Sequence, residues 1–375
     1  MDTLALIDTT HPLYSNFDAL GVPNTKTEQY KNFPIKPILA REYSYNTESN
    51  LTPNAGTNLV MHNGMLLEYP EEIDIKFNEE FHTDKEHFDS LYFMSHMLST
   101  TVITLKVHKD CSFEIQHTLC EQDSLTAYRI ALEVDENIHV EVFESFQTDK
   151  SSQAFTLYGL DVHVSNNSTL RWIRNENRAD KETEVVGSHK FNVAKQATLV
   201  LHSFDFGSAS SLHLYKIDLA QYASCNASHL LLSDKDARRG NVVHINHNEA
   251  HAKSTQEARS ILKDNATGIF DAKILVAHDA KYASASQNSK AILLDEHAHM
   301  YAKPQLEIYT DELEASHGST IGTLDEDALF YLLSRGISMQ ESRKMLVSAF
   351  ANTLIDNIPN QEYATKIHKE FENSL

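Results

Sequence analysis

Most of the chain consists of short stretches in which apolar and polar residues alternate. The pattern runs from about Asn58 to about Ile321, and clusters of Asn, Asp, Ser and Lys separate the stretches. Alternation with a period of two is typical of a strand with one buried face. The clearest examples are 101–107, 138–143, 170–173, 197–206, 212–219, 242–245, 274–276, 291–294 and 305–309. The sequence therefore predicts a mainly β protein.

The scarcity of glycine discriminates between β architectures. A sandwich of this size needs many tight hairpin turns, which favour Gly and Asn-Gly, yet the chain has only 11 glycines among 375 residues. A parallel β-helix turns its corners with Asn, Asp and Ser and stacks its strands without hairpins. We therefore expect a parallel β-helix, a solenoid, over residues 61–322.

The N-terminal part of the chain has a different texture from this core. Five of the eight prolines lie at Pro12, Pro23, Pro34, Pro37 and Pro53. Closely spaced prolines interrupt regular structure. Residues 1–60 are therefore predicted to form an irregular segment with one or two brief helices.

Helical signals appear only after the predicted solenoid. Thr323-x-x-Glu326 and Ser338-x-x-Glu341 both fit the capping box that opens helices. Gly336 supplies a C-terminal stop for the first of them. The second helix is predicted to place Leu346, Ala349, Phe350 and Leu354 on one face, and a third is indicated by Tyr363, Ile367 and Phe371. Residues 323–375 are therefore predicted to form a C-terminal helical domain.

Composition and charge narrow the classes of function. The formal net charge of −21 argues against nucleic acid as a partner, because phosphate binding needs concentrated Lys and Arg. Neither GxxxxGK nor GxGxxG occurs, so no phosphate-binding loop is indicated. No apolar run approaches the length that spans a membrane. Three cysteines and no visible secretory signal predict a reducing compartment, the cytoplasm.

The 21 histidines raise the question of a metal site. The densest group is His244, His247 and His251, and on a helix the three rings would share one face. The segment begins as a strand, however, where a spacing of three sends His244 and His247 to opposite faces. A metal site is therefore disfavoured here, although a His-rich metal-binding solenoid stays open as an alternative function.

The most specific pattern in the chain lies between Lys303 and Phe350. It resembles the C-terminal signature of the SufB/SufD family, the scaffold proteins of the Suf iron–sulfur cluster assembly system. A weaker likeness covers much of the rest, including Gly21, Pro23, Glu28 and Tyr30-Lys31, with Tyr30 where the family usually has Trp. The signature residues are Lys303-Pro304, Leu306-Glu307-Ile308, Ser316-His317-Gly318, Thr320, Gly322, Leu324-Asp325, Leu329-Phe330-Tyr331-Leu332 and Ser334-Arg335-Gly336-Ile337.

Within the family the chain looks more like SufD than SufB. The cluster-ligating cysteine of SufB aligns near Ser289, and its His-Glu pair is replaced by His317-Gly318. Some SufD proteins carry a cysteine where this chain has Ala315. The imidazole of His317 is therefore the one potential metal ligand that the resemblance leaves at this spot.

The resemblance implies a right-handed parallel β-helix and a non-catalytic scaffold. It implies pairing with SufB through the β-helix, with His317 facing a transient cluster or iron at that interface. The C-terminal helices would bind the SufC ATPase, which would hydrolyse the ATP. A flavin in the complex and a homodimer of the isolated chain are compatible with it. The implied ATPase-binding region contains Leu329, Phe330, Tyr331, Arg335, Arg343, Leu346 and Phe350.

Within the implied ATPase-binding region, the residues are expected to have different roles. Leu329, Phe330 and Leu346 are expected to pack inside the helical domain, whereas exposed residues such as Arg335 and Arg343 would carry the interface. A divergent SufB-like scaffold that holds its own cluster remains the second alternative function, beside the His-rich metal-binding solenoid.

Overall fold

The computed structural model describes residues 3–45, 53–77, 83–99, 101–119, 123–148, 153–180 and 182–375. Within them the chain forms a solenoid of parallel strands, preceded by a short N-terminal segment and followed by helices. The predicted fold class, a mainly β solenoid with helical ends, is confirmed.

The strands alternate between two sheets along most of the chain. Their bounds are β1 Ser44–Tyr45, β2 Asn54–Gly56, β3 Leu59–His62, β4 Met65–Pro70, β5 Asp74–Phe77, β6 Thr101–Val107, β7 Cys111–Leu119, β8 Ser124–Val134, β9 His139–Thr148, β10 Phe155–Val164, β11 Thr169–Asn177, β12 Glu184–Val193, β13 Thr198–Gly207, β14 Ser211–Leu219, β15 Ser224–Ser233, β16 Arg238–His247, β17 Lys253–Leu262, β18 Thr267–Val276, β19 Ala283–Leu293, β20 His299–Ile308 and β21 Leu313–Gly322.

Helices lie near the start of the chain and at its C-terminal end. Two short 3₁₀ helices span Thr3–Leu6 and Glu28–Tyr30. The α-helices are α1 Tyr14–Leu20, α2 Ile35–Leu39, α3 Ser90–Leu98, α4 Glu326–Ser334, α5 Met339–Ile355 and α6 Gln361–Ser374. Helix α3 lies inside the range 61–322 that the pattern assigns to the solenoid.

The even-numbered strands from β6 to β20 form one sheet, and the odd-numbered strands from β7 to β21 form the other. We call them the N-sheet and the C-sheet, after the terminal segment that covers each. Every neighbouring pair in these two series is parallel and in register, as in β11 and β13. Near the start of the chain, β3 pairs with β4 and β5 with β6 in the antiparallel sense.

Several strands escape detection by alternation because both of their faces are buried. In β8 and β10 nearly every residue is buried, since one face lies in the solenoid interior and the other lies under the N-terminal segment. A strand that is covered on both sides has no reason to alternate. The strands that the pattern does predict, such as β6 and β14, match their predicted ranges closely.

The corners between the sheets use left-handed backbone in place of glycine. Asn137 and Asn167 have φ values of 61° and 59°, and Asp264 has φ 52°. Asn and Asp adopt this conformation more readily than other side chains because their short polar groups bond locally. The corner position of Asn137 and Asn167 is occupied in later coils by Tyr222 and His251, whose rings stack with centroids 4.6 Å apart.

The N-terminal segment covers the outer face of the N-sheet together with α3 and the loop before it, and we include these residues in the term from here on. Its apolar residues, among them Phe33, Ile35 and Leu91, form one buried cluster with Phe155 and Leu212 of the sheet. Burying one such side chain contributes about 1.5–3 kcal/mol.

Helix α3 is fixed in this layer by polar contacts. Asp89 caps it by accepting from the Leu91 backbone N–H at 3.1 Å. The same carboxylate accepts from the hydroxyls of Tyr30 at 2.7 Å and Ser188 at 2.6 Å.

Helices α5 and α6 cover the outer face of the C-sheet. Tyr363 stacks on Phe143 with centroids 4.3 Å apart, and Phe371 contacts Phe206 at 5.7 Å. The third predicted helix is thereby confirmed with the face that its spacing of four indicated. In α5 the buried face contains Val347, Ala351, Leu354 and Ile355, so the predicted face is wrong for the exposed Ala349.

One of the two predicted caps is confirmed and the other is corrected. Ser338 accepts from the Glu341 backbone N–H at 3.2 Å and caps α5. Helix α4 is capped instead by Asp325, which accepts from the Ala328 N–H at 3.0 Å. Asp325 lies three residues before Ala328, which is the spacing at which a capping side chain reaches a backbone N–H. Asp325 therefore takes the role that was predicted for Thr323. Gly336 has φ 84°, as its role after α4 requires.

The interior between the sheets contains a buried ion network. Glu176 of β11 accepts from Arg174 at 3.0 Å and from Arg239 at 2.9 Å. Arg178 pairs with the same carboxylate at 2.9 Å. Arg174 also forms a two-bond pair with Asp205, 2.9 Å for each bond. Burial opposes ionisation, yet Arg178 and Arg239 hold the pKa of Glu176 well below its usual range.

Removing the central carboxylate of this network is expected to destabilise the fold strongly. Glu176→Leu leaves buried guanidinium groups without their partner, so we expect a loss of about 3–5 kcal/mol in the free energy of unfolding. Urea unfolding followed by the fluorescence of Trp172, the single tryptophan, measures it. The control is Glu72→Leu, which breaks the surface pair with Lys109 and should leave the unfolding midpoint unchanged. Equal midpoints for the two variants would contradict the prediction.

Candidate functional site

Among the residues that the structure describes, the solenoid ends in a coil that no further coil covers. Strands β20 and β21 occupy the terminal positions of the N-sheet and the C-sheet, and each pairs with a single strand. The interior-facing residue Ile321, which would be buried in any earlier coil, is 48% exposed here. Unpaired edge strands with exposed apolar residues are ready to pair with another chain. We call this surface, formed by β20 and β21, the open end.

His317 lies at the middle of strand β21 in the open end. The ring is exposed, and the residue pairs in register with Gln287 of β19. The strand has no alternating pattern, so only its pairing with β19 over ten residues, Leu313–Gly322, fixes its conformation. The result is an exposed imidazole in the last coil of the solenoid, on a strand that pairing with β19 holds in place.

The neighbours of His317 decide which ligands the spot offers. Ala315 and Ser319 share its strand face and are exposed. Ser289, where the resemblance places the SufB cysteine, lies one strand inside and pairs with Ser319. It is buried, and its hydroxyl has no partner among the described residues. A Cβ at Gly318 would meet only the Asn288 Oδ1, at 3.7 Å, so space does not forbid a larger residue there.

The two parts of the resemblance meet in space next to the open end. Lys303 of β20 forms an ion pair with Glu28 of the N-terminal segment. Lys303 also lies 3.8 Å from Asp271 of β18. Burial raises the pKa of Asp271 to about 6. These contacts attach the N-terminal segment to the last coils of the solenoid.

The predicted ATPase-binding residues lie on α4 and α5. Phe330 and Tyr331 are 73% and 57% exposed, so the expectation that Phe330 packs inside the helical domain is wrong. Helix α4 has no buried residue, because only α5 and α6 lie against the C-sheet. Leu329 is half-buried.

The remaining predicted residues of this region differ in exposure. Arg335 stacks over the Tyr331 ring at 5.1 Å and Arg343 is exposed. Leu346 and Phe350 are half-buried, and Arg259 of the C-sheet lies 5.0 Å from the Phe350 ring.

The structure does not bring His244, His247 and His251 together. His244 stacks on Phe88 of the N-terminal segment at 3.9 Å, whereas His247 bonds to Ser254 of the C-sheet across the interior at 2.7 Å. His251 lies in a corner. Burial lowers the pKa of His244 to about 3 and that of His247 to about 4.

Among the described residues, one group places three possible metal ligands close together, namely Glu176, Asp205 and His213. Their guanidinium partners already neutralise both carboxylates, so the arrangement forms a salt-bridge network. Sequence reasoning missed it. The signal was present as Arg174-x-Glu176-x-Arg178, a spacing of two that places all three side chains on one strand face.

The fold and the site define a β-solenoid with an unpaired terminal coil and an exposed helix beside it. Residues 117–350 match the family model described as SUF system FeS cluster assembly, SufBD core domain. The chain therefore belongs to the SufB/SufD family.

Two relatives illustrate the similarity. The chain is 28% identical to the iron-sulfur cluster assembly protein SufD of Escherichia coli over 247 residues, which is 64% of this chain and 57% of that protein. It is 28% identical to an iron-sulfur cluster assembly SufBD family protein of Synechocystis over 241 residues, 62% and 53% of the two lengths. The match thus spans little more than half of these relatives. No helix of the described residues is long and apolar enough to cross a membrane.

Acid is expected to destabilise the fold through buried neutral histidines. Burial lowers the pKa of His229 to about 3, against roughly 6.5 in an unfolded chain. Between these values the unfolded state binds the extra proton, so the free energy of unfolding falls as the pH drops below about 6.5, by up to about 1.4 kcal/mol per pH unit. Urea titrations from pH 7 to pH 4 measure the slope, and His229→Leu should make it shallower. An unchanged slope in that variant would remove His229 as a cause.

Proposed function

We propose that the chain is a SufD-like, non-catalytic scaffold subunit for iron–sulfur cluster assembly, which works with SufB and the SufC ATPase in the cytoplasm. The observation that carries the proposal is His317, exposed on an unpaired edge strand at the open end. Family membership supports the assembly role. The proposed partners, SufB and SufC, are inferred from two exposed surfaces, the open end and helix α4.

The open end suits a SufB partner with a solenoid of its own. Strand β21 offers free backbone groups along its outer edge, and Tyr301, Tyr309 and Ile308 add exposed apolar area nearby. A partner that continues the sheets would satisfy the backbone and bury these side chains. His317 would then lie within the interface, close to whatever the partner strand presents.

The chemistry of His317 fits a transient cluster as cargo. A neutral imidazole donates a nitrogen lone pair to iron, and a thiolate from SufB would supply the soft ligand that clusters prefer. Ala315 and Gly318 add no ligand of their own. One imidazole can hold a cluster only together with ligands from a partner. This favours transient binding of the cluster at the interface over stable binding of a cluster by this chain alone.

The exposed side of α4 suits the ATPase partner. Phe330 and Tyr331 project from a helix with no buried residue, and Met339 and Met345 of α5 are 47% and 44% exposed. Aromatic residues, Met and Arg are enriched in the centres of protein interfaces. Nucleotide hydrolysis in the partner would act through this helix on the end of β21, three residues away along the chain. A flavin in the complex and a homodimer of the isolated chain remain predictions.

Two alternatives have less support. A SufB-like scaffold with its own cluster needs further ligands, but the position of the SufB cysteine holds the buried Ser289. A His-rich metal site would need the three histidines that the solenoid separates. Iron and labile sulfide on the isolated chain after anaerobic reconstitution would support the SufB-like scaffold. Tight zinc binding that is lost on His244→Ala and His247→Ala would support the His-rich metal site.

Replacing His317 should affect cluster delivery and leave the fold intact. His317→Ala removes an exposed ring with no packing role, so we expect the unfolding midpoint to stay within error of wild type. Cluster transfer to an apo-acceptor by the complex with SufB and SufC should fall at least about tenfold, the effect of losing roughly 1.4 kcal/mol of binding. His297→Ala, which removes another histidine near the end of the solenoid, is the control. Wild-type transfer by His317→Ala would remove this residue from the site.

Polar substitutions on α4 should weaken binding of SufC without disturbing the solenoid. We expect Phe330→Ser with Tyr331→Ser to raise the Kd for SufC by roughly 100-fold, because two aromatic anchors are lost. Isothermal calorimetry measures the affinity, and light scattering of the wild-type mixture gives the mass of the complex. The matched control is Tyr222→Ser, an exposed aromatic in a distant corner. Equal affinity of wild type and double variant for SufC would contradict the docking surface.

A further inference from the structure

His317 ends a row of interior side chains that runs through the C-sheet. In-register pairing connects one residue from each strand in turn. The row begins apolar and becomes polar two strands before the open end. In order from β11 to β21 its members are Trp172, Leu201, Ala227, Gln256, Gln287 and His317.

The two glutamines of this row are buried although their side-chain amides have no hydrogen-bond partner among the described protein groups, which does not favour stability. Gln256 and Gln287 are 1% and 3% exposed. Both the nitrogen and the oxygen of each side-chain amide lack a partner among the described protein groups. A buried amide without partners is unfavourable, whereas an apolar residue of the same size would pack there without that penalty.

The row itself offers the missing partners. Neighbouring strands of a sheet lie roughly 4.8 Å apart, and in-register Gln side chains can form hydrogen-bonded ladders along such a stack. Gln287 has Gln256 on its inner side and His317 on its outer side. The terminal amide torsion of glutamine is soft, and His317 is the next residue outside Gln287 in the row.

An oriented imidazole is what a metal ligand needs. A ligating histidine ordinarily donates its second ring N–H to a neighbouring acceptor, which fixes the ring and its tautomer. On its own strand face His317 has Ala315 and Ser319 as neighbours, and Gly318 supplies no side chain. The carbonyl of Gln287 is the in-register acceptor.

We infer that Gln287 is a positioning residue for His317. Its carbonyl oxygen accepts a hydrogen bond from one ring N–H, and the other ring nitrogen keeps its lone pair, directed to the partner side of the open end. Gln256 supports the arrangement by donating to Gln287 from the strand below. The inference rests on the proposed function of His317, but the inferred hydrogen bond lies within this chain, so it is testable without a partner.

The tautomer of His317 in the metal-free chain tests the inference. Two-bond ¹⁵N–¹H correlation spectra of protein with ¹⁵N-labelled histidine, recorded near pH 8, distinguish the tautomers. The His317 signal is assigned by its loss in His317→Ala. In wild type we expect one tautomer to dominate by about tenfold, as a hydrogen bond of ordinary strength gives. A wild-type ratio equal to that of a flexible histidine peptide would overturn the inference without any variant.

Variants at position 287 separate positioning from packing. Gln287→Met keeps the volume and removes the acceptor, so the ratio should relax to the peptide value while the unfolding midpoint is retained or rises. Gln287→Glu restores an acceptor and should restore the preference. The matched control is Ser289→Ala, which removes another buried, unpartnered group from the same strand face and should leave the ratio unchanged.

The outcomes also distinguish this inference from the proposed function. A tautomer ratio that responds to Ser289→Ala and not to Gln287→Met overturns the inference and leaves the role of His317 untouched. Full cluster transfer by His317→Ala overturns the proposed function instead. Loss of transfer in Gln287→Met, with its melting curve intact and its tautomer relaxed, supports both.

Discussion

In-register parallel stacking is the constraint on which the rest of the structure depends. Because each coil pairs residue for residue with the next, any interior side chain has fixed neighbours above and below it. An apolar row then packs continuously, as around Trp172, whose indole N–H still reaches Glu144 at 2.7 Å. A polar residue must find its partners within the same few coils. The buried network around Glu176 meets that requirement within neighbouring coils, whereas the amides of Gln256 and Gln287 beneath His317 lack partners among the described protein groups.

The same stacking explains where the protein can meet partners. The N-terminal segment and helices α5 and α6 cover the outer faces of the two sheets. These outer faces therefore leave little apolar surface open for a partner. The final coil is different, since its edges lack a further strand. A site for assembly falls at this end because the repeating geometry stops there, and helix α4 follows directly on β21.

Burial also accounts for much of the unusual histidine content. Imidazole is large and weakly polar, and it stacks on neighbouring rings in this interior, as His117 does on Phe146 with centroids 4.5 Å apart. Burial lowers the pKa of such a ring, that of His202 to about 4, and the ring therefore stays neutral near pH 7. His317 differs from these residues in being exposed, and it differs from other exposed histidines such as His297 in lying at the middle of the last strand of the C-sheet.

The sequence by itself determined the fold class, the helical C-terminal end and the family resemblance. Alternation marks strands with one partly polar face, such as β6, and a local cap such as Ser338 needs only neighbouring residues to act. The tertiary structure decided what depends on distant neighbours. Strands buried on both faces, the placement of α3 under Tyr30 and the ion network of Glu176 arise from contacts between coils that are far apart in sequence. The exposure of Phe330 and the pairing of Gln287 with His317 were decided in the same way, because a linear pattern does not show which face another element covers.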